Sequence, residues 1–170
     1  PEFTGYTSRG YTGTGQVAVG DNLRIDVEYQ VVDLASLRQA FGDLQPRDRA
    51  RSASDAWVAD TAARLDPALL MPSPTADRGA PIVGPDNMIE SGNGRARAIG
   101  RAYAENPDRA AAYRQQIEQT TGQPIPEGMA EPVLIARRQT DLSSADRRQM
   151  VVEAQDSGVA RMNATERAQV

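Results

Sequence analysis

The chain has 170 residues, 39% of them hydrophobic, with 19 basic and 23 acidic side chains and a net charge of -4. It contains no cysteine, no histidine and no lysine, so every basic residue is arginine. That excludes disulfides, thiolate nucleophiles, cysteine-ligated zinc, Schiff-base lysines and the Walker lysine, and it removes the commonest metal ligand and general base. The chemistry left belongs to carboxylates, hydroxyls, amides, guanidinium groups and a bound metal. The length suits one domain able to bury its own core. With two Phe and one Trp, that core has to be aliphatic and alanine-rich. The acidic total argues against a general polyanion binder, although local patches can be basic. No stretch approaches the 18 apolar residues of a membrane span.

Residues 1–22 hold five glycines and four threonines with little periodicity and read as a flexible arm. The opening Pro1-Glu2-Phe3 resembles a cloning scar, and the chain stops inside a helical pattern, so a fragment of a longer protein is expected. The domain proper is placed at 23–170. Residues 23–32, LRIDVEYQVV, alternate apolar and polar and predict a half-buried strand. Asp33 is placed to cap a short helix to about residue 40. The Gln45-Pro46-Arg47 step is extended, because the residue before proline avoids the helical region. Ser52, with Asp55 three residues on, predicts a helix start whose buried face carries Trp57, Val58, Ala62 and Leu65. Asp66-Pro67 starts a further helical turn. Residues 72–80 read as a loop. PIVGPDNMIESG (81–92) predicts two short strands around a Gly-Pro-Asp-Asn turn. Helices are expected at 93–104 and at 107–121, the second ended by Gly122. PVLIARR (132–138) reads as a buried strand. Ser143 with Asp146 opens a helix to about 155, and Asn163 with Glu166 opens a last one. The order strand, helix, helix, hairpin, helix, helix, strand, helix indicates an α+β domain, a small mixed sheet flanked by helices.

The densest signal is IVGPDNMIESGNGRARAIGR (82–101). A strand ends, two glycines follow, and a helix begins. Amides at a helix start point outward with partial positive charge. Gly92 and Gly94 would let an oxyanion approach that backbone. Arg95 and Arg97 could fork onto phosphate oxygens, and Ser91 and Asn93 add neutral hydrogen-bonding groups. Glu90 could hold a magnesium ion through water. A purely structural turn, with arginines on a solvated face, explains the same residues, and the spacing matches neither the dinucleotide fingerprint nor the P-loop. Arg47, Arg49 and Arg51, alternating in an extended segment, share one side and could grip phosphates; a solvated loop with local Asp–Arg pairs is the other reading. Arg137 and Arg138 are weaker candidates. Arg147 and Arg148 are expected on an exposed helix face.

LQPRDR (44–49), GAPIVGPDNMIESGNGRARAI (79–99) and PVLIARR (132–138) together resemble the ParB/sulfiredoxin superfamily. The likeness spans roughly 25–170 and is greatest to DdrB-like ParB-superfamily domains, found in large multi-domain proteins of phages and conjugative elements. It implies a ParB/sulfiredoxin-like sheet and nucleotide-phosphate binding by Gln45 and Arg47 of one box and Gly92, Arg95 and Arg97 of another. The family box has glutamate where this chain has Asn93, and arginine where it has Gly94. No cysteine is present for sulfiredoxin chemistry, and no helix-turn-helix is evident.

The resulting expectation is a nucleotide-binding ParB-like domain of a phage or mobile-element protein, associated with DNA transactions in the bacterial cytoplasm. Gly92, Asn93, Gly94 and Arg95 would cradle phosphates of a nucleoside triphosphate, with Ser91 beside them. Arg97 and Arg47 would add charge, and Glu90 would orient Mg2+ or water. Its partners would be nucleotide, DNA and other domains of a larger polypeptide, with no membrane. Two alternatives stay open: a metal-dependent nuclease or nucleoside triphosphatase using Glu90, alone or with Asp86, and a non-catalytic scaffold with a vestigial pocket.

Overall fold

The computed structural model describes residues 13–39 and 51–152, and over 51–54 the backbone alone. Strand β1 (Thr14–Val19) and strand β2 (Leu23–Asp33) form an antiparallel hairpin in register from Thr14↔Glu28 to Val19↔Leu23. Val17 and Val19 turn inward beside Ile25, Val27, Tyr29 and Val31. The arm expected over 1–22 is therefore corrected at 14–19, which are a strand of the sheet. Only two apolar side chains face the core there, too few to stand out among glycine and threonine.

Asp33 Oδ1 accepts from the Ala35 amide, as a cap would, but the helix expected to about residue 40 is one 3-10 turn, Leu34–Ser36. A competing pairing ends it. The Arg38 amide donates to Asn87 O at 2.8 Å and the Ile89 amide donates to Arg38 O at 2.8 Å, which draws the chain out straight. Gln45, Pro46, Arg47 and Arg49 lie outside the described residues, as does the helix expected after Asn163.

Helix α1 (Arg51–Ala63) buries Val58 and Ala62, half-buries Trp57 and leads into buried Leu65. Asp66 caps the 3-10 turn Pro67–Leu70 with proline at its preferred first position. Strands β3 (Ile82–Val83) and β4 (Ile89–Ser91) form the second hairpin, closed over Gly84–Asn87 with Asn87 at a φ of 67°. Helix α2 (Asn93–Glu105) is alanine-rich where it is buried, at Ala96, Ala98, Ile99 and Ala102. Helix α3 (Pro107–Thr121) buries Ala110, Tyr113, Ile117 and Thr121, a stripe at helical spacing, and ends on left-handed Gly122. Strand β5 (Pro132–Arg138) is buried on both faces, and helix α4 runs over 144–152. Ser143 Oγ accepts from the Asp146 amide, the capping expected there.

The sheet order is β1-β2-β5-β3-β4, antiparallel except for the parallel pair β3·β5. A five-stranded mixed sheet with four helices among the described residues makes this an α+β fold. The sheet also curls. The Ala18 amide on edge strand β1 donates to Pro74 O at 2.8 Å, and the Ala76 amide donates back to Ala18 O at 2.9 Å. On the opposite edge, Ser91 Oγ donates to Ala76 O at 2.9 Å. Segment 74–76 thus ties the two edges together, which shields backbone groups that an open edge would expose. Among the described residues, no helix is long and apolar enough to cross a membrane.

Candidate anion-binding site

Strand β4 passes directly into α2 through Gly92, whose φ of 96° lies in the left-handed region. That conformation costs a residue with a Cβ about 1–2 kcal/mol. Gly92, as the N-cap residue, has no side chain with which to cap the first turn of α2. Amides at a helix start carry partial positive charge. Asn93 Oδ1, at the first helical position, is buried with no hydrogen-bond partner.

The surroundings of this turn differ from the expectation in detail. Arg95 lies back across it: Nη1 donates to Gly79 O at 2.8 Å, and Nη2 donates to Ala76 O at 2.8 Å and to Ser91 Oγ at 3.2 Å. A Cβ on Gly92 would stand 2.8 Å from Arg95 Nη2, so the glycine makes room for this guanidinium as well as for the turn. Arg95 is thus a clamp on the loop before β3. Ser91 belongs to the same clamp and is buried. Gly94 makes room for Trp57, because a Cβ there would stand 3.0 Å from the indole ring. Arg97 is half out in solvent and pairs with Asp55 of α1. Gln45 and Arg47 lie outside the described residues.

A cleft of about 210 Å³ is lined by Leu34, Leu37, Ile89, Ala96, Arg97 and Gly100 among others. A larger one, about 290 Å³, sits at the far end of α2 and carries Glu105 and Asp108. Arg109 lines it too, so two carboxylates face one guanidinium there, and it suits an anion less well than the smaller cleft with Arg97 alone.

Glu90 is also placed differently. Its side chain is fully buried. Arg138 Nε donates to Oε1 at 2.8 Å and Arg138 Nη2 to Oε2 at 3.1 Å, while Arg147 Nε donates to Oε2 at 2.6 Å. Two guanidinium groups already neutralise this carboxylate, and its side chain has no exposed surface. Among the described residues, no group of three or more acidic side chains is arranged to hold a metal. In this geometry both Glu90 oxygens are engaged by Arg138 and Arg147. Asp86, the other candidate carboxylate, forks onto Arg147 at 2.8 and 3.1 Å, and those hydrogen bonds hold its carboxyl below the usual carboxylate range.

The Arg147 and Arg138 pairs were not visible in sequence. Arg147, expected on an exposed face, is four-fifths buried, while Arg148 is exposed as expected. A usable signal existed: Met150 and Val151, both buried, follow Arg147 at i+3 and i+4 and share its helix face. Arg137 donates to Gln30 Oε1, Gly84 O and Asn87 Oδ1, all neutral. Its pKa is lowered chiefly by desolvation.

A family model described as the ddrB-like ParB superfamily domain matches residues 20–139. The chain belongs to that family. Comparison with curated proteins found no match, and comparison with solved structures found none either. The ParB-superfamily match takes in β2 to β5, and with them the whole glycine turn and its clamp. Strand β1 and helix α4 lie outside the matched residues.

Proposed function

We propose that this ParB-superfamily domain binds the phosphates of a nucleotide at the start of α2. The observation that carries the reading is the left-handed turn at Gly92, which leads strand β4 straight into a helix start whose N-cap residue has no side chain. Backbone donors there have no helical partner in any case, and the helix dipole favours an anion. In this reading Asn93 and Gly94 supply main-chain donors, and Arg97 leaves Asp55 to meet a phosphate oxygen. Gly92 supplies the turn. Ser91 and Arg95 act from behind it, holding 76–79 in place with donors already spent on carbonyls. Gln45 and Arg47 would approach from the preceding box, as the family resemblance implies. The apolar cleft that Arg97 also lines offers room for a base or sugar. Magnesium enters as the counter-ion of a nucleoside triphosphate, with no carboxylate of Glu90 behind it.

The wider setting follows from the resemblance to DdrB-like domains: a module of a larger phage or mobile-element protein, working on DNA in the bacterial cytoplasm beside other domains. The net charge of -4 keeps any direct DNA contact local and salt-sensitive. A second reading, a scaffold with a vestigial pocket, is favoured by one feature: the protein's own Trp57 ring covers Gly94.

Isothermal titration with CTP, ATP and GTP, each with and without magnesium, separates the two. Nucleotide binding predicts saturable heat with at least one of them, weakened about tenfold by Arg97→Gln through loss of one charge-assisted contact. Absence of heat with all three favours the scaffold. Trp57, the single tryptophan, lies against the site, so its fluorescence reports the same event.

A further inference from the structure

Helix α4 lies beyond the matched residues, yet one side chain seats it on the β3–β4 hairpin. Arg147 Nη2 donates to Asp86 Oδ1 at 2.8 Å and Nη1 to Asp86 Oδ2 at 3.1 Å, a two-pronged contact, while Nε donates to Glu90 Oε2 at 2.6 Å. The floor beneath the guanidinium is Gly84. A methyl group on its Cα would stand 2.6 Å from Glu90 Oε2, 2.7 Å from Arg147 Nη2 and 3.0 Å from Asp86 Oδ1. Gly84 is not among the glycines of positive φ, so its backbone does not require glycine; the occupied space does.

We infer that Gly84, Asp86 and Glu90 form a guanidinium socket, and that α4 is a strap pinned into it by Arg147 that opens without unfolding the sheet. Charge explains why opening is tolerated. Closed, Asp86 and Glu90 face Arg138 and Arg147, with Arg137 bonded to Gly84 O beside them. Open, Glu90 keeps both hydrogen bonds from Arg138 and is not left as an unpaired buried charge, the costly case. Asp86, with its side chain 40% exposed, hydrates readily. Beyond the socket, the strap is held among the described residues chiefly by the fully buried side chains of Met150, a member of the core, and Val151, which leave the core when it opens. Shape explains why the pin is arginine. A planar fork matches one carboxylate with two nitrogens while a third reaches the other carboxylate, which an ammonium cannot do.

The contact also reaches the candidate anion site, because Glu90 precedes Ser91 and Gly92 in the chain. The socket stands whether or not a nucleotide binds there.

Amide hydrogen exchange on the full chain tests the strap. Arg147→Ala should speed exchange across 144–152 about tenfold or more, the factor expected for losing charge-assisted hydrogen bonds, while β2 and β5 keep their protection. Arg147→Lys should resemble the alanine variant, because it keeps the charge and loses the fork. Gly84→Ala should open the same segment by filling the floor. Wild-type protection of 144–152 in Arg147→Lys would reduce the socket to a simple charge contact and overturn the inference. So would faster exchange spread evenly over β2, β5 and 144–152 in Arg147→Ala, because α4 would then open only with the whole domain.

Discussion

Glu90 shows how a residue type can point to one chemistry and its neighbours to another. A carboxylate between a short strand and a glycine turn suggests a metal ligand. Placed under Arg138 and Arg147 with no exposed surface, it becomes the anion of a buried ion pair. Such pairs add little to stability when intact, yet breaking one by removing a single partner typically costs about 3–5 kcal/mol. Glu90→Gln should therefore lower the unfolding free energy by roughly that amount, read from urea titration. A folded variant of unchanged stability that has lost nucleotide turnover would return Glu90 to a catalytic role. Neither arginine partner lies near Glu90 in sequence, and their pairing with it was not legible there. Gly92 was legible as a turn residue because a left-handed φ is written into glycine itself. Gly94 was legible only as a glycine. Its reason, the ring of Trp57, comes from another helix.

At the level of elements, local signals worked where local physics decides. Asp66-Pro67, Gly122 and the Ser143–Asp146 pair each cap what they were expected to cap, because a cap needs only its own few residues. Asp33 began the expected cap, and a distant strand then took the chain. The α4–hairpin contact carries a pH prediction. Asp86 titrates below its ordinary value in the folded protein, chiefly through hydrogen bonds from Arg147, with Glu90, Arg137 and Arg138 as the other charged groups of the cluster. A depressed folded pKa means that the contribution is complete above the unfolded value, about 3.9, and fades as pH falls through the lower folded one. Protection of 144–152 should accordingly drop as the solution is acidified below about pH 4. Asp86→Asn should remove that part of the pH dependence. Exposure of Asp86 screens the effect and keeps it small.

Over the whole molecule, Arg95 has the longest reach. Its guanidinium holds the carbonyls of Ala76 and Gly79, and Ala76 in turn bonds Ala18 on the far edge of the sheet. One side chain from the first turn of α2 thus fastens the segment that joins both edges. Arg95→Met should lower stability by about 2–4 kcal/mol, since it leaves carbonyls without their charged donors. Faster hydrogen exchange should appear first in β1 and 74–80. Nucleotide affinity, measured under conditions where the variant stays folded, should fall through loss of that support. A loss of affinity with β1 and 74–80 still fully protected would instead make Arg95 a direct phosphate ligand.

The amino-acid sequence by itself determined the chemical repertoire, the strand at 23–32, the hairpin around Gly84–Asn87, the two central helices and the glycine turn between β4 and α2. Each of these is set by composition or by interactions a few residues apart. Only the tertiary structure decided what the charged groups do. It turned Arg95 inward to carbonyls, gave Arg97 to Asp55, enclosed Glu90 between two arginines and drew 14–19 into the sheet. Charges and hydrogen bonds act at a few ångströms of space, whatever the separation along the chain, and periodicity carries no record of which arginine will arrive beside which carboxylate.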